Sequence, residues 1–225
     1  MIQATGRTDM NALFPGNMKE PSKLYLVRHG ETDLNRDRRF RGMSDAPLNE
    51  QGRLEAQGAG RLLSGHGVSA VHTSPVRRAV ETAEIIAGEI GAGVAINHGL
   101  SDIDYGEWQG FTVEEVREKF GEGTLESWMQ DPGGFTFPGG ESMPDVRARL
   151  EPALLGIVRE NPGGAVAAVS HLAVLKVCFI IMMGVESGWF WKLGLDNGSV
   201  GLFSYEEESG FMLHSWNCLP GGGTG

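Results

Sequence analysis

A chain of 225 residues, 40% hydrophobic and 21% charged, is long enough for one domain with a full core and too apolar to remain disordered. Its formal net charge of -10, without a long basic run, speaks against nucleic-acid binding and makes any local gathering of arginines informative. Cys178 and Cys218, without a CxxC spacing, exclude a disulfide framework and the common zinc and redox motifs.

Residues 1–21 are mixed, polar and without periodicity, and hold no apolar stretch of the kind a secretory leader needs. A flexible tail and a cytoplasmic location are expected. Residues 221–225 read as a second flexible tail, leaving one domain over 22–220. Lys23 to Arg28 reads as a buried strand ending at His29-Gly30. Leu48 to Leu63 has helical spacing, and Ser69 to His72 is a short strand. Ser74 and Pro75 look like the N-cap and first residue of a helix reaching about Ile90. Val94 to Ile96 is a further strand, Val113 to Phe120 a helix, and a Gly-rich loop is expected after it. Pro144 to Glu160 is a longer helix. The apolar run from Ala165 to Val185 is broken by Ser170, His171 and Lys176, so it reads as a buried strand and helix (Ala165–Val169, Leu172–Met183), not a membrane span. Val200 to Tyr205 and Phe211 to Trp216 form a final strand pair.

Strands alternating with helices predict an α/β fold: a three-layer sandwich with a mostly parallel central sheet flanked by helices. Ligands of such sheets sit beyond the carboxyl ends of the strands. Arg28-His29 and Ser170-His171 both fall there, so two distant histidines are expected to meet. A neutral imidazole can attack phosphorus, and the transferred group then needs fixed cationic donors, for which guanidinium is well shaped. Arg28, His29, Arg78 and His171 make that set, and Thr32 and Asn35 add neutral donors. Taken singly, each of these residues has an ordinary structural explanation. Their joint occurrence in LVRHGET, SPVRRAVETA and VSH is what points to chemistry.

On these strings the chain resembles the histidine phosphatase superfamily, the phosphoglycerate mutase-like group. Leu26 to Thr32 matches its signature, Ser74 to Ala83 its second motif with Arg78 as the phosphate-binding arginine, and Leu100 to Gly110 its acid-bearing segment. Phe137 to Ser142 (FPGGES) matches a loop common in the phosphatase branch, and Val169 to His171 the last motif. The resemblance implies hydrolysis of a small phosphomonoester through a phosphohistidine on His29. Arg28, Arg78, His171, Asn35 and Thr32 would hold the phosphoryl oxygens, and Asp102 would act as proton donor. Arg41, Glu107 and Ser170 complete the expected substrate-binding set. No cofactor and no metal are implied. The implied partner is a small phosphorylated metabolite, without nucleic acid or membrane, and a homodimer is compatible with the sequence.

The chain departs from the pattern at several places. Asp102 stands where glutamate is usual, with Asp104 and Glu107 near enough to substitute; Leu172 stands where glycine is common, and Arg41 where glutamine or threonine is common. A phosphoglycerate mutase is the alternative activity, disfavoured by the FPGGES loop and by the absence of an arginine pair between Gly110 and Phe137. A non-catalytic binding module is the third reading. His66, His72, His98 and His214 read as structural or solvated, and Trp108, Trp128, Trp189, Trp191 and Trp216 as core or pocket wall. Gly58 and Gly60 lack the preceding strand a dinucleotide loop needs.

Overall fold

A computed structural model describes residues 20–220, so the tails expected at 1–21 and 221–225 lie outside the described residues save for Glu20 and Pro21. The sheet is built from β1 (Ser22–Arg28), β2 (Val68–Thr73), β3 (Gly93–Ile96), β4 (Ala165–Ser170), β5 (Val200–Glu206) and β6 (Gly210–Cys218). Its spatial order is β3-β2-β4-β1-β5-β6. The first four of that order run parallel, whereas β5 is antiparallel to β1 and β6 to β5. The helices are α1 (Asp33–Arg36), α2 (Glu50–Leu63), α3 (Arg77–Ile90), α4 (Val113–Phe120), α5 (Glu122–Gln130), α6 (Met143–Arg159) and α7 (Leu172–Met183).

Side chains alternate across a strand, and β1 and β4 show how both faces become covered. Leu24, Leu26, Val166 and Ala168 meet Leu150, Leu154 and Ile157 of α6 and Val174 and Cys178 of α7. Tyr25, Val27, Ala167 and Val169 point the other way, to Ala59 and Leu63 of α2 and Ala79, Ala83 and Ile86 of α3. Helices on both faces of the sheet make the expected three-layer sandwich. The apolar run from Ala165 splits into β4 and α7 as expected, and no helix among the described residues is long and apolar enough to cross a membrane.

Three local expectations are corrected. Ser74 is not the N-cap of α3: the helix begins at Arg77 and that position is Val76, with no side-chain cap bond, while the Ser74 hydroxyl accepts from Val76 N and faces His171. The segment after Phe120 is not merely a loop. Gly121, at φ +88°, ends α4, and α5 follows at once, burying Leu125. Trp189 and Trp191 are 40% and 42% exposed, unlike Trp108, which is 0% exposed in the core.

The loop leaving β1 is seated by a backbone contact that only glycine allows. A Cβ on Gly52 of α2 would lie 2.1 Å from Glu31 O, and one on Gly30 would lie 2.2 Å from Gly52 O. Gly52→Ala is therefore expected to destabilise the fold by about 3 kcal/mol, read as a lower urea midpoint at unchanged m-value.

Candidate active site

Strand register brings the reactive segments together. Arg28 of β1 is paired with Ser170 of β4, and Thr73 of β2 with Val169 of β4. The next residues, His29, His171 and Ser74, therefore emerge side by side at the carboxyl ends of adjacent parallel strands. Backbone bonds continue the ladder past the strand ends, with His29 N donating to Ser170 O (3.0 Å) and Ser74 N to Val169 O (3.1 Å). The rings of His29 and His171 lie 5.1 Å apart.

His29 is 0% exposed. Its Nδ1 lies 2.7 Å from Gly30 O, which can only accept, so Nδ1 carries the proton and Nε2 presents a lone pair. Arg78 Nε donates to that Nε2 at 3.3 Å. Burial, reinforced by Arg78, Arg28 and Arg41, holds the imidazole well below the usual histidine range, so it stays neutral into acidic solution. Asn197 Nδ2 donates to His29 O (2.9 Å), and Gly30 N donates to Thr82 Oγ1 (3.1 Å), so the backbone on both sides of the imidazole is held.

Arg78, 0% exposed in the first turn of α3, is the hub. Besides His29 it donates to Gly42 O (2.7 Å), Ser44 O (3.0 Å) and Asp102 Oδ2 (2.7 Å). Asp102 Oδ1 accepts from Ile103 N at 2.9 Å. Burial raises the Asp102 carboxyl above the usual carboxylate range, against the opposing pull of Arg78 and Arg41. On the other side, His171 Nε2 lies 2.8 Å from Ser74 Oγ, which also accepts from Val76 N. We therefore assign the Ser74 proton to His171 Nε2 and the His171 proton to Nδ1, 3.5 Å from Asp102 Oδ2. Burial beside Arg78 and His29 lowers the His171 pKa well below its usual value. Arg28 is buried and donates to Leu195 O; its desolvation brings its pKa down to about 10.

A cavity of about 330 Å³ opens beside this cluster, with Arg28 common to both. Arg28, Asn35, Arg38, Arg41, Tyr105 and Trp128 are among its walls, and Leu172 stands at its edge where a smaller residue would leave it wider. Arg28 Nε, Arg41 Nε and His171 Nδ1 are buried without a hydrogen-bond partner among the described residues. Unsatisfied donors of this kind are costly in a dry interior and fit an anion rich in acceptor oxygens.

The structure thus gathers Arg28, His29, Asn35, Arg41, Arg78, Asp102 and His171. It does not give the remaining candidates direct access. Thr32 is 0% exposed and directs both its amide (3.1 Å) and its hydroxyl (2.8 Å) to Asn35 Oδ1, so it orients Asn35 instead of contacting a ligand. Ser170 is fully buried and its hydroxyl donates to Leu100 O (2.8 Å). Glu107 is exposed, and Asp104 caps its own turn by accepting from Gly106 N (2.9 Å). Among the rival acids, Asp102 alone is buried within the cluster. The expected wall residue Trp108 lies beneath Phe40 and Trp128 in the core. The sequence alone gives no functional role to Ser74, which reads as a helix cap, to Thr82, which lies in SPVRRAVETA, or to Asn197.

Comparison with known proteins agrees with this geometry. Residues 24–219 match the family model described as histidine phosphatase superfamily (branch 1). The chain is 32% identical over 191 residues to phosphoserine phosphatase 1 of Hydrogenobacter thermophilus, spanning 85% of this chain and 90% of the relative. It is 30% identical over 194 residues to a probable phosphoglycerate mutase, GpmB, of Salmonella paratyphi B, spanning 86% and 89%. The structure of a mycobacterial glucosyl-3-phosphoglycerate phosphatase in complex with VO3 superimposes with TM-score 0.79 at 28% identity, over 87% of this chain and 99% of that one. The chain belongs to the histidine phosphatase superfamily and is an enzyme of its phosphoglycerate mutase-like phosphatase type.

Proposed function

We propose that the chain hydrolyses small phosphomonoesters with His29 as nucleophile and Asp102 as proton donor. The observation that carries this reading is the imidazole itself: buried, neutral, with Nδ1 committed to Gly30 O and the Nε2 lone pair turned toward cationic donors. In the first step Nε2 attacks phosphorus and the P–O bond to the leaving group breaks. Arg78 swings its Nε–H from the ring nitrogen to a phosphoryl oxygen. Arg28, His171 and the Asn35 amide stabilise the equatorial oxygens. Asp102 gives its proton to the departing alkoxide. In the second step water attacks phosphorus, the P–N bond breaks, and the proton released by water returns to Asp102. Rapid acid-free quenching with a radiolabelled ester is expected to trap a base-stable, acid-labile phosphoenzyme with the label on His29; label on another residue, or none, refutes the assignment.

The pH dependence follows from the two shifts. Asp102 must be protonated when the ester bond breaks, and its carboxyl is raised in the fold, so the first step is fastest below that pKa and is lost as pH rises through it. His29 must be neutral, and its lowered pKa keeps it so in mildly acidic solution. The pH–rate profile of kcat is therefore expected to fall on an alkaline limb set by Asp102, displaced upward from the usual carboxylate range. A profile flat from about pH 5 to 9 contradicts the acid assignment.

The cavity also bears on substrate. Arg38 and Arg41 line it without an ion-pair partner among the described residues, and the carboxylate that also lines it, Glu31, is engaged by Asn49 Nδ2 (2.8 Å), in a chain of net charge -10. Arg28 and Arg78 already serve the phosphoryl group, so these further guanidinium groups favour a leaving group with its own negative charge. The relatives named for phosphoserine and glucosyl-3-phosphoglycerate support such a substrate. Arg41→Ala is expected to lower kcat/KM for a carboxylate-bearing ester about 10- to 100-fold more than for 4-nitrophenyl phosphate, measured by phosphate release. The crowd of cations around His29 also repels metal ions, so turnover is expected to be unchanged by EDTA. The unpaired Cys178 and Cys218 support a cytoplasmic location.

A further inference from the structure

Asp102 belongs to a stretch, 101–105, without regular secondary structure, and its carboxyl hangs on a side chain one torsion shorter than the usual glutamate. A short acid inherits any displacement of its backbone directly. What holds that backbone is Arg149 of α6. Its Nη1 donates to Gly99 O (3.0 Å) and Ser101 O (2.9 Å), and its Nη2 to Asp102 O (3.0 Å). The remaining protons form a two-point pair with Glu141, Nε to Oε1 at 2.7 Å and Nη2 to Oε2 at 2.9 Å. All five guanidinium N–H groups are thereby engaged.

Glu141 grips the far side of the same stretch. Its Oε2 accepts from Asp104 N (3.0 Å), and its own amide donates to Asp104 O (2.9 Å). The Ser170 hydroxyl donates to the one carbonyl of this run that Arg149 omits, that of Leu100. Four successive carbonyls, 99 to 102, at the end of a short 3-10 turn (His98–Leu100) and just beyond it, are thus held by side chains. A Cβ on Gly99 would lie 2.4 Å from Ala153 Cβ, so the stretch is pressed onto α6 with no slack.

We propose that Arg149, paired with Glu141, is the positioning residue for the general acid, fixing the backbone beneath Asp102 so that the carboxyl meets the leaving oxygen. This rests on the reading of Asp102 as proton donor. A purely structural clamp would slow all substrates alike. A positioning clamp slows only those whose leaving oxygen needs a proton, because misplacement of about 1 Å costs on the order of 100-fold in a step that depends on that placement.

The test compares two esters on each purified full-length variant: 4-nitrophenyl phosphate, whose phenolate departs without a proton, and β-glycerophosphate, whose alkoxide needs one. The pre-steady-state rate of phosphoenzyme formation is measured for both, and their ratio does not depend on the folded fraction of a preparation. Arg149→Met is expected to lower the alkyl-to-aryl ratio about 30-fold, and the milder Glu141→Gln about 5-fold. Arg149→Lys should recover part of it. Asp102→Asn sets the limit, about 100-fold or more. A ratio unchanged in both Arg149→Met and Glu141→Gln, while Asp102→Asn lowers it, overturns the positioning role alone. A ratio unchanged in Asp102→Asn overturns the acid assignment on which it rests. Should Arg149→Met fail to fold, Glu141→Gln and Arg149→Lys decide.

Discussion

His29→Ala is expected to lower kcat/KM for every phosphomonoester by at least about 10⁴-fold and to abolish the trapped phosphoenzyme. The reason lies in how completely the site is arranged around one nitrogen. Gly30 O fixes the tautomer, Asn197 fixes the peptide, and Arg78 faces the lone pair. No second neutral nucleophile replaces it: His171 has Nε2 bonded to Ser74 and its Nδ1 directed at Asp102. The fold should tolerate the change, with a loss of about 1–2 kcal/mol by urea unfolding, since a neutral ring leaves no buried charge unpaired. Retention of more than about 1% of activity would show that another group takes the phosphoryl.

Arg78→Met should be nearly as damaging to activity and far worse for stability. One guanidinium serves His29, Asp102 and the carbonyls of Gly42 and Ser44. Its loss removes a donor to the phosphoryl oxygens, about 10³-fold in kcat. It also leaves Asp102, 4% exposed, without its charge partner, at a cost of about 3–5 kcal/mol in the urea midpoint. Arg78 lowers the pKa of both Asp102 and His29, so without it both rise. The alkaline limb reports loss of the Asp102 proton and the acid limb protonation of His29, so the whole residual profile should move to higher pH. Arg78→Lys should restore little, because an ammonium cannot span four acceptors that a planar fork reaches at once. An unshifted profile would mean that Arg78 does not set the charge state of either group.

Much of this architecture was legible in the residues themselves. Apolar strands ending in Arg28-His29 and Ser170-His171 placed both imidazoles at one edge of a parallel sheet, and the structure brings them to 5.1 Å. Periodicity reports which face of an element is buried, and for β1, β4 and α7 that sufficed. It does not report where a hydroxyl or carboxylate finds its partner. Thr32, Ser170 and Glu107 carry suitable chemistry at suitable positions, yet two turn inward to brace neighbours and the third faces solvent. Ser74 has the look of a helix cap, but the long-range pull of His171, 97 residues away, decides its role. The helix α5 escaped notice because Gly121 and Gly123 weaken its start and no side chain caps it. Arg149 was invisible for the opposite reason: it looks like any arginine on a helix, and its importance comes wholly from the irregular stretch it meets.

The register of β1, β4 and β2 has a consequence for how such an enzyme can change. His29 and Ser74 are bonded to the ladder at the centre of the sheet and His171 follows β4 directly, whereas Arg38, Arg41 and Trp128 stand on segments outside it. Exchange of backbone deuterium should be slowest at Val27 and Val169 and much faster at Arg38 to Ser44. Selection can therefore redraw which molecules are admitted by editing peripheral segments, while the bond-breaking centre is inherited unaltered.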